Sequence, residues 1–292
     1  MKILLTGATG FLGRETAARL RRDHEVLPLG HRCAGGGAET VDLRDGGALR
    51  RFLSGRAFDA VVHLAAYRDP DFCEDHPEET RRLNVDPVRV FGEALPPACR
   101  LLFVSSDYVF DGETPPYAED APRRPMNVYG RSKAEAEDLA ARRPGSLILR
   151  IPLLIGAGPS LEASGFIGQI VRALRDPSPQ VADDVLVRFP TWTRDVADAI
   201  AFLLARGVGG TIHASAGEAM TRYASVRAAA AALGWPDGHI RPSRDVVPRR
   251  AARPRDSRLD TSRLRGMGFA RYAAFADVVR AAVAGTGGRT AG

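Results

Sequence analysis

The chain has 292 residues, 45% of them hydrophobic and 26% charged, an ordinary composition for a soluble globular protein and sufficient for a large α/β domain with a smaller appended lobe. The formal net charge of +6 is spread along the chain without a basic helix or a recognised nucleic-acid module, and no apolar stretch is long enough to cross a bilayer, so we expect neither nucleic acid nor a membrane as partner. The first residues lack the zones of a secretory signal, and three scattered cysteines fit neither a disulfide framework nor metal-ligand spacing, so we expect a cytoplasmic protein without a metal site.

Strands and helices alternate through the first half of the sequence. Apolar runs predict strands at residues 2–6, 25–29, 39–41, 59–64, 101–104 and 146–151. Helical periodicity lies between them at about residues 11–22, 79–95 and 128–142. The run at 59–64 is apolar almost throughout, as expected of a strand that is covered on both faces. This alternation predicts a doubly wound parallel sheet, the Rossmann type of α/β fold.

The character of the sequence changes after Ile155. Helices are expected near residues 165–175, 195–205 and 226–233, with a short strand at 211–213 and an arginine- and proline-rich stretch at 241–265. We expect residues 1–155 to form the cofactor-binding domain, with 189–215 returning to its sheet. Residues 156–188 and 216–285 should form a smaller C-terminal substrate lobe, and residues 286–292 a flexible tail. His63 and His213 lie in strands, and we interpret them as core histidines.

A glycine loop connects the first strand to the first helix. Gly7 permits a tight turn, Gly10 lets the backbone approach a pyrophosphate, and Gly13 lets the helix pack closely on the strand. The N-terminus of the helix adds N–H groups and a partial positive charge that suit phosphate. In this strand–turn–helix context, the loop predicts a dinucleotide site.

The end of the second strand indicates which dinucleotide is bound. An NAD enzyme usually places a carboxylate there to bind the ribose 2′-hydroxyl, whereas this chain has His31 and Arg32 and no acidic residue before Glu39. A guanidinium would pair with a 2′-phosphate, which favours NADP(H). Asp42 and Leu43, after the third strand, suit a contact with the adenine edge, although Asp42 could equally begin the next helix.

A serine, a tyrosine and a lysine have the spacing of a carbonyl-reducing site. Ser106 follows the fifth strand, and Tyr129 and Lys133 are four residues apart on a helix, so they share one face. The ammonium would lower the pKa of the tyrosine, which could then act as an acid or base, while Ser106 would bond the substrate oxygen. Lys133 is one of only two lysines in the chain. The spacing therefore predicts Ser106, Tyr129 and Lys133 as catalytic residues.

The motifs TGATGFLG, HLAA, LNV, VSSDYVFDG, VYGRSK and LRIPLLIG resemble those of the extended short-chain dehydrogenases. Within them, the chain is similar to the dTDP-4-dehydrorhamnose reductase group. The stretches SSDYVFDGETPPYAED, RFPTWTRDVA, MTRY and RPRDSRLD are closest to its methionine adenosyltransferase β-subunit branch. The resemblance covers about residues 1–265. It departs from the reductases at Pro152-Leu-Leu-Ile-Gly156 and Arg188-Phe-Pro-Thr191, two segments on the expected substrate side.

The resemblance implies reduction of a keto group on a nucleotide-linked sugar, with NADP(H) as cofactor. It implies a set of cofactor contacts, namely Gly7, Thr9, Gly10, Phe11, Leu12, Gly13, Gly30, His31, Arg32, Asp42, Leu43, Leu64, Ala65, Ala66, Arg68, Tyr129, Lys133 and Leu154. On the substrate side we expect Tyr67, Asp71, Ser106, Asp107, Trp192 and Arg253. The arginines near 241–258 would either meet a substrate diphosphate or form a solvated basic loop. Trp192 would either line the pocket or pack between the lobes.

Several functions remain open at this level. The first is an NADP(H)-dependent reductase, most simply of the 4-keto group of a dTDP-linked deoxysugar, or else of a non-sugar ketone. The second is a cofactor-binding regulatory subunit of a partner enzyme such as methionine adenosyltransferase. An epimerase or dehydratase is disfavoured, because a dehydratase needs an acidic pair after the catalytic serine and here Tyr108 follows Asp107. The fold also allows a homodimer.

Overall fold

The computed structural model describes residues 1–30, 39–245 and 249–287. The strands within these ranges are β1 (Lys2–Thr6), β2 (Glu25–Gly30), β3 (Glu39–Thr40), β4 (Ala60–His63), β5 (Arg100–Ser106), β6 (Leu147–Ile151), β7 (Leu154–Ile155), β8 (Gln180–Asp183), β9 (Thr191–Trp192), β10 (Gly210–His213) and β11 (Ile240–Ser243). The α-helices are α1 (Phe11–Leu20), α2 (Gly46–Leu53), α3 (Pro70–Asp75), α4 (Pro77–Asn84), α5 (Asp86–Ala94), α6 (Val128–Ala141), α7 (Gly165–Arg175), α8 (Thr193–Ala205), α9 (Arg222–Leu233), α10 (Ser262–Gly266) and α11 (Phe275–Gly287).

Seven parallel strands form the main sheet, in the order β10-β6-β5-β4-β1-β2-β3. The order 3-2-1-4-5-6 is that of a doubly wound Rossmann sheet, so the predicted fold class is confirmed. β1 lies between β2 and β4, with Ile3 in register with Val26 and Ala60. Because all the strands are parallel, their carboxyl ends meet at one edge, which is where ligands bind in open sheets of this type.

The sheet separates two apolar cores, and a third core lies outside it. One face packs α1 and α8 on the sheet, and the other face packs α2, α5 and α6. The third core combines α7, α9 and α11 with the separate pair β8–β11. Across the described ranges, we find no helix that combines the length and the hydropathy needed to span a membrane.

The observed elements differ from the predicted ones in three respects. The helix expected at 79–95 is two helices, because Pro87 has no N–H to continue the ladder from α4 into α5. The short helices α3 and α10 and the pairs β7–β9 and β8–β11 were not predicted, since elements this short show little periodicity. Helix α11 was also missed and extends to Gly287, two residues into the expected tail. The rest of that tail, 288–292, lies outside the described residues.

Candidate active site

The glycine loop forms a backbone cradle at the carboxyl end of β1. Gly7 has φ of 68°, and a Cβ there would lie 2.8 Å from the nitrogen of Ala65. A Cβ on Gly13 would lie 2.0 Å from the carbonyl oxygen of Gly7, so the close packing of α1 on the loop requires glycine. Gly10 caps α1 without a side-chain hydrogen bond, which leaves first-turn N–H groups open to an anion. This cradle fits the pyrophosphate of a dinucleotide.

A cavity of about 520 Å³ lies beside this loop at the carboxyl edge of the sheet. The predicted cofactor residues that line it are Gly7, Thr9, Gly10, Phe11, Leu12, Gly13, Gly30, Asp42, Leu43, Leu64, Ala65, Ala66, Arg68, Tyr129, Lys133 and Leu154. His31 and Arg32, the two residues expected to select NADP(H), lie outside the described residues. Ser106 and the predicted substrate residues Tyr67 and Asp107 line the same cavity. One space therefore joins the cofactor cradle to the three predicted catalytic residues.

Three predicted substrate residues are not among those that line this cavity. Asp71 and Arg253 form an ion pair of 2.9 Å with each other, and the Arg253 side chain is only 9% exposed. Asp71 also accepts the N–H of Ala251, so the pair ties α3 to the C-terminal part of the chain. Trp192 packs against the third core, and Arg194 lies 4.9 Å from its ring, which favours the packing role over the pocket role. The charges of Asp71 and Arg253 are therefore paired with each other, and the ring of Trp192 is packed within the protein.

Sequence reasoning missed several residues of the cavity wall, namely Leu29, Val41, Arg44, Pro70, Leu83, Val104, Ser105, Tyr108, Ile151, Pro152, Leu153 and Arg188. Most of them flank predicted residues at strand ends, and Pro152, Leu153 and Arg188 lie in the two segments that sequence analysis placed on the substrate side. Arg44 is bound to Asp42 and Glu79, with 2.8 and 3.0 Å between the paired atoms. The Asp42 carboxylate raises the pKa of Arg44 above the usual value. Arg188 comes from the second half of the chain and begins Arg188-Phe-Pro-Thr191, a segment expected on the substrate side, although it was not predicted as a site residue.

The three predicted catalytic residues converge from β5 and α6. Ser106 ends β5, and its hydroxyl accepts the N–H of Tyr108 within the 3₁₀ turn Asp107–Val109 that follows. The side chain of Asn127 caps α6 by accepting the N–H of Gly130, so the first turn of α6 presents Tyr129 to the cavity. Lys133 follows one helical turn later and is almost completely buried. Its ammonium donates to the carbonyl oxygen of Val104 at 2.6 Å.

Burial governs the ionisation of this group. It raises the pKa of Tyr129 well above the usual value, and a hydrogen bond with Ser106 opposes the rise. Burial also lowers the pKa of Lys133 to about 7, and the nearby Glu137 carboxylate opposes that fall. We expected the ammonium to lower the tyrosine pKa. Instead the Lys133 ammonium is directed to Val104 and the ring of Phe103, 4.1 Å away, and desolvation dominates at Tyr129.

A segment from near the end of the chain completes the site. This strap, residues 251–260, contacts the neighbours of two catalytic residues. Asp107 accepts hydrogen bonds from Ser106 at 3.0 Å and from Ser257 of the strap at 2.5 Å. Burial raises the pKa of the Asp107 carboxyl, and these two hydroxyls oppose that rise. The side-chain amide of Asn127 donates to the carbonyl of Ala252, 2.7 Å away. The strap therefore braces the elements that carry Ser106 and Tyr129.

Comparisons with solved structures agree with this architecture. A hypothetical dTDP-4-dehydrorhamnose reductase from Sulfolobus tokodaii superposes with a TM-score of 0.82 at 31% identity, over 91% of this chain and 94% of that one. The dTDP-4-dehydrorhamnose reductase of Bacillus anthracis, solved in complex with NADP, gives a TM-score of 0.85 at 21% identity, over 98% of each chain. At that identity the second likeness concerns the fold.

Curated relatives divide between an enzyme and a subunit. Methionine adenosyltransferase 2 subunit beta of Bos taurus is 35% identical over 282 residues, which are 94% of this chain and 84% of that protein. A Streptomyces antibioticus protein named "Probable dTDP-4,6-dihydroxy-2-methyloxan-3-one 4-ketoreductase" is also 35% identical, over 92% of this chain and 90% of its own length. The family profile described as RmlD substrate binding domain matches residues 1–286. Because this match covers nearly the whole chain, and because the motifs resemble those of the dTDP-4-dehydrorhamnose reductases, the chain belongs to the RmlD substrate binding domain family.

Proposed function

We propose that this protein is an NADP(H)-dependent reductase that acts on the 4-keto group of a dTDP-linked deoxysugar. The observation that carries the proposal is the convergence of Ser106, Tyr129 and Lys133 on the cavity that contains the glycine cradle. The similarity to a named 4-ketoreductase over 92% of the chain supports the substrate class. The backbone of the glycine loop would hold the pyrophosphate of NADP(H), and Asp42 and Leu43 would contact its adenine.

Each catalytic side chain has a defined part in the proposed reaction. When bound, the reduced nicotinamide supplies the hydride. Tyr129 keeps its proton at neutral pH because burial raises its pKa, so its hydroxyl is the proton source for the developing alkoxide. The Ser106 hydroxyl positions the substrate oxygen beside Tyr129. Lys133, whose ammonium donates to the carbonyl oxygen of Val104, would use its remaining N–H groups to hold the ribose of the nicotinamide.

The test is NADPH oxidation, followed by nicotinamide absorbance, with a panel of dTDP- and UDP-linked 4-keto sugars. We expect turnover with a dTDP-linked member, and a fall in kcat of about 100-fold or more in Tyr129→Phe, as is typical for loss of a general acid. Tyr223→Phe is the matched control, because Tyr223 packs in the third core away from the cavity. Unchanged turnover in Tyr129→Phe would contradict the assigned mechanism.

A second candidate rests on the relatives named methionine adenosyltransferase 2 subunit beta. In this case the chain would bind NADP(H) and regulate a partner enzyme. The regulatory function is favoured over the reductase function if NADPH binds tightly and no keto sugar in the panel is reduced. The purified chain is then mixed with a methionine adenosyltransferase catalytic subunit and examined by size-exclusion chromatography. Co-elution with a changed synthetase rate supports regulation, and separate elution excludes this partner.

A further inference from the structure

Arg44 lies in the cavity wall beside Asp42 and Leu43, the two residues expected at the adenine of the cofactor. Its guanidinium makes two parallel contacts with the Asp42 carboxylate, Nε to Oδ1 at 2.9 Å and Nη2 to Oδ2 at 2.8 Å. The third nitrogen, Nη1, donates to Oε1 of Glu79 at 3.0 Å and lies 3.4 Å from the hydroxyl oxygen of Tyr67. Each of the three nitrogens therefore has a partner within the protein.

These partners come from two walls of the cavity. Arg44 and Asp42 follow β3, whereas Tyr67 follows β4 and Glu79 belongs to α4. Glu79 lies one helical turn before Leu83, which is itself in the cavity wall. In the main sheet β3 and β4 are separated by β2 and β1, so these contacts join two walls that the sheet does not pair directly. Only 32% of the Arg44 side chain is exposed, and its guanidinium is held in one orientation between the walls.

The contacts also decide which ligand chemistry this guanidinium can offer. The N–H groups of a guanidinium lie in its plane, so when its edges are occupied by the protein the flat face is the surface left for a ligand. The carboxylates of Asp42 and Glu79 already balance its single positive charge, so it has little net charge to offer a phosphate. An uncharged aromatic ring suits the flat face, because the cation attracts the π electrons of the ring.

We propose that Arg44 is a stacking platform for the adenine ring of the bound dinucleotide. The inference rests on the cofactor half of the proposed function and is independent of the sugar that is reduced. It adds the face of the base to the contacts expected of Asp42 and Leu43. Because the guanidinium is fixed before the cofactor arrives, stacking costs little side-chain entropy. Arg44 is thus a positioning residue that anchors the end of the cofactor opposite to the nicotinamide.

Binding of three reduced nucleotides tests the assignment without any turnover: NADPH, NADH and reduced nicotinamide mononucleotide, which lacks the adenosine half. Nicotinamide fluorescence measures the affinities. In Arg44→Lys, which keeps the charge but has no planar face, NADPH and NADH should both bind about 5- to 30-fold more weakly. Arg44→Met removes the charge as well and should weaken NADH by at least as much. The mononucleotide should stay within about twofold of wild type in both variants, because it does not reach the adenine end.

Arg51→Met is the matched control, at an exposed arginine of the neighbouring helix α2, and should leave all three affinities unchanged. Four outcomes overturn the proposal. Wild-type affinity for NADH in both Arg44 variants excludes a contribution of the flat face. A loss confined to NADPH assigns Arg44 to the 2′-phosphate instead. A parallel loss for the mononucleotide shows a general change of the cavity, and a wild type that binds neither dinucleotide has no adenine to stack.

The reductase assay decides separately. Reduction of a keto sugar by a protein whose dinucleotide affinity does not depend on Arg44 leaves the proposed function intact and removes this inference. Dinucleotide binding that depends on Arg44, in a chain that reduces nothing, does the reverse.

Discussion

At the scale of single residues, Lys133 combines a charge with nearly complete burial. Its ammonium has a backbone carbonyl and an aromatic ring as neighbours, and desolvation brings its pKa to about 7. The side chain therefore changes charge near neutral pH in the ligand-free protein. A cofactor hydroxyl that accepts from the ammonium would favour the charged form and raise this pKa.

This coupling predicts that NADPH affinity depends on pH. A group whose pKa rises on binding contributes fully below its free pKa of about 7, and the contribution is lost as pH rises from there through the higher pKa of the complex. If binding raises the pKa by one unit, we expect NADPH to bind roughly tenfold more weakly at pH 9 than at pH 6.5. Calorimetry from pH 6.5 to 9 measures the profile, and the titration of the 2′-phosphate near pH 6 is common to wild type and variant. Lys133→Met should flatten it, and a profile identical to wild type would refute the coupling.

At the scale of elements, α6 is anchored to the sheet by a buried ion pair. Glu137 lies two helical turns after Tyr129 on the same face, and both of its oxygens are bound by Arg150 of β6 at 2.9 and 2.8 Å. The two side chains are 2% and 4% exposed. Because neither charge can reach water, the pair fixes the position of the helix that carries Tyr129 and Lys133.

We predict that Glu137→Gln lowers the free energy of unfolding by about 3–5 kcal/mol, because it leaves the Arg150 charge buried without a counter-ion. The matched control is Glu135→Gln on the same helix, where the ion pair with Arg81 is about half exposed. That change should cost less than about 1 kcal/mol. Urea denaturation measures both variants, and similar losses would show that the buried pair does not anchor α6.

At the scale of the whole molecule, two strands of the main sheet hold neutral histidines in apolar surroundings. Burial lowers the pKa of both His63 and His213 to about 3. Thr6 accepts two backbone N–H groups and donates its hydroxyl hydrogen to Nδ1 of His63. At His213, Nε2 accepts from Arg150 at 3.2 Å. Protonation would break both arrangements.

The protein should therefore lose stability in mild acid. A histidine whose pKa is lower in the folded state than in the unfolded state, where it is about 6.5, destabilises the fold progressively as pH falls below 6.5 towards 3. Each histidine should cost on the order of 2 kcal/mol between pH 7 and pH 5. Urea denaturation at the two pH values measures the loss. His213→Gln should remove about half of the histidine contribution, and an unchanged pH dependence would contradict the assignment.

The main sheet could be predicted from the sequence because its strands are apolar runs with glycine or polar ends. The glycine cradle could be predicted because Gly7, Gly10 and Gly13 lie close together in the sequence. Ser106, Tyr129 and Lys133 followed from spacing on one strand and one helix. The sequence could not place Asp71, Trp192 and Arg253 relative to the cavity, because their positions depend on contacts between distant segments. Whether an arginine faces a cavity, as Arg188 does, or an aspartate, as Arg253 does, is decided by packing across the lobes.

The strap has a consequence for how the protein is made. Every group proposed to do chemistry lies before residue 134, but Ser257 and Ala252, which hold Asp107 and Asn127, are synthesised 150 and 125 residues after those partners. The Rossmann strands β1 to β6 can pair before the strap has been made, whereas the catalytic cleft is braced only after the strap has been synthesised. A chain cut short before the strap carries the three reactive side chains without the contacts that align them, so prematurely terminated products are poor catalysts.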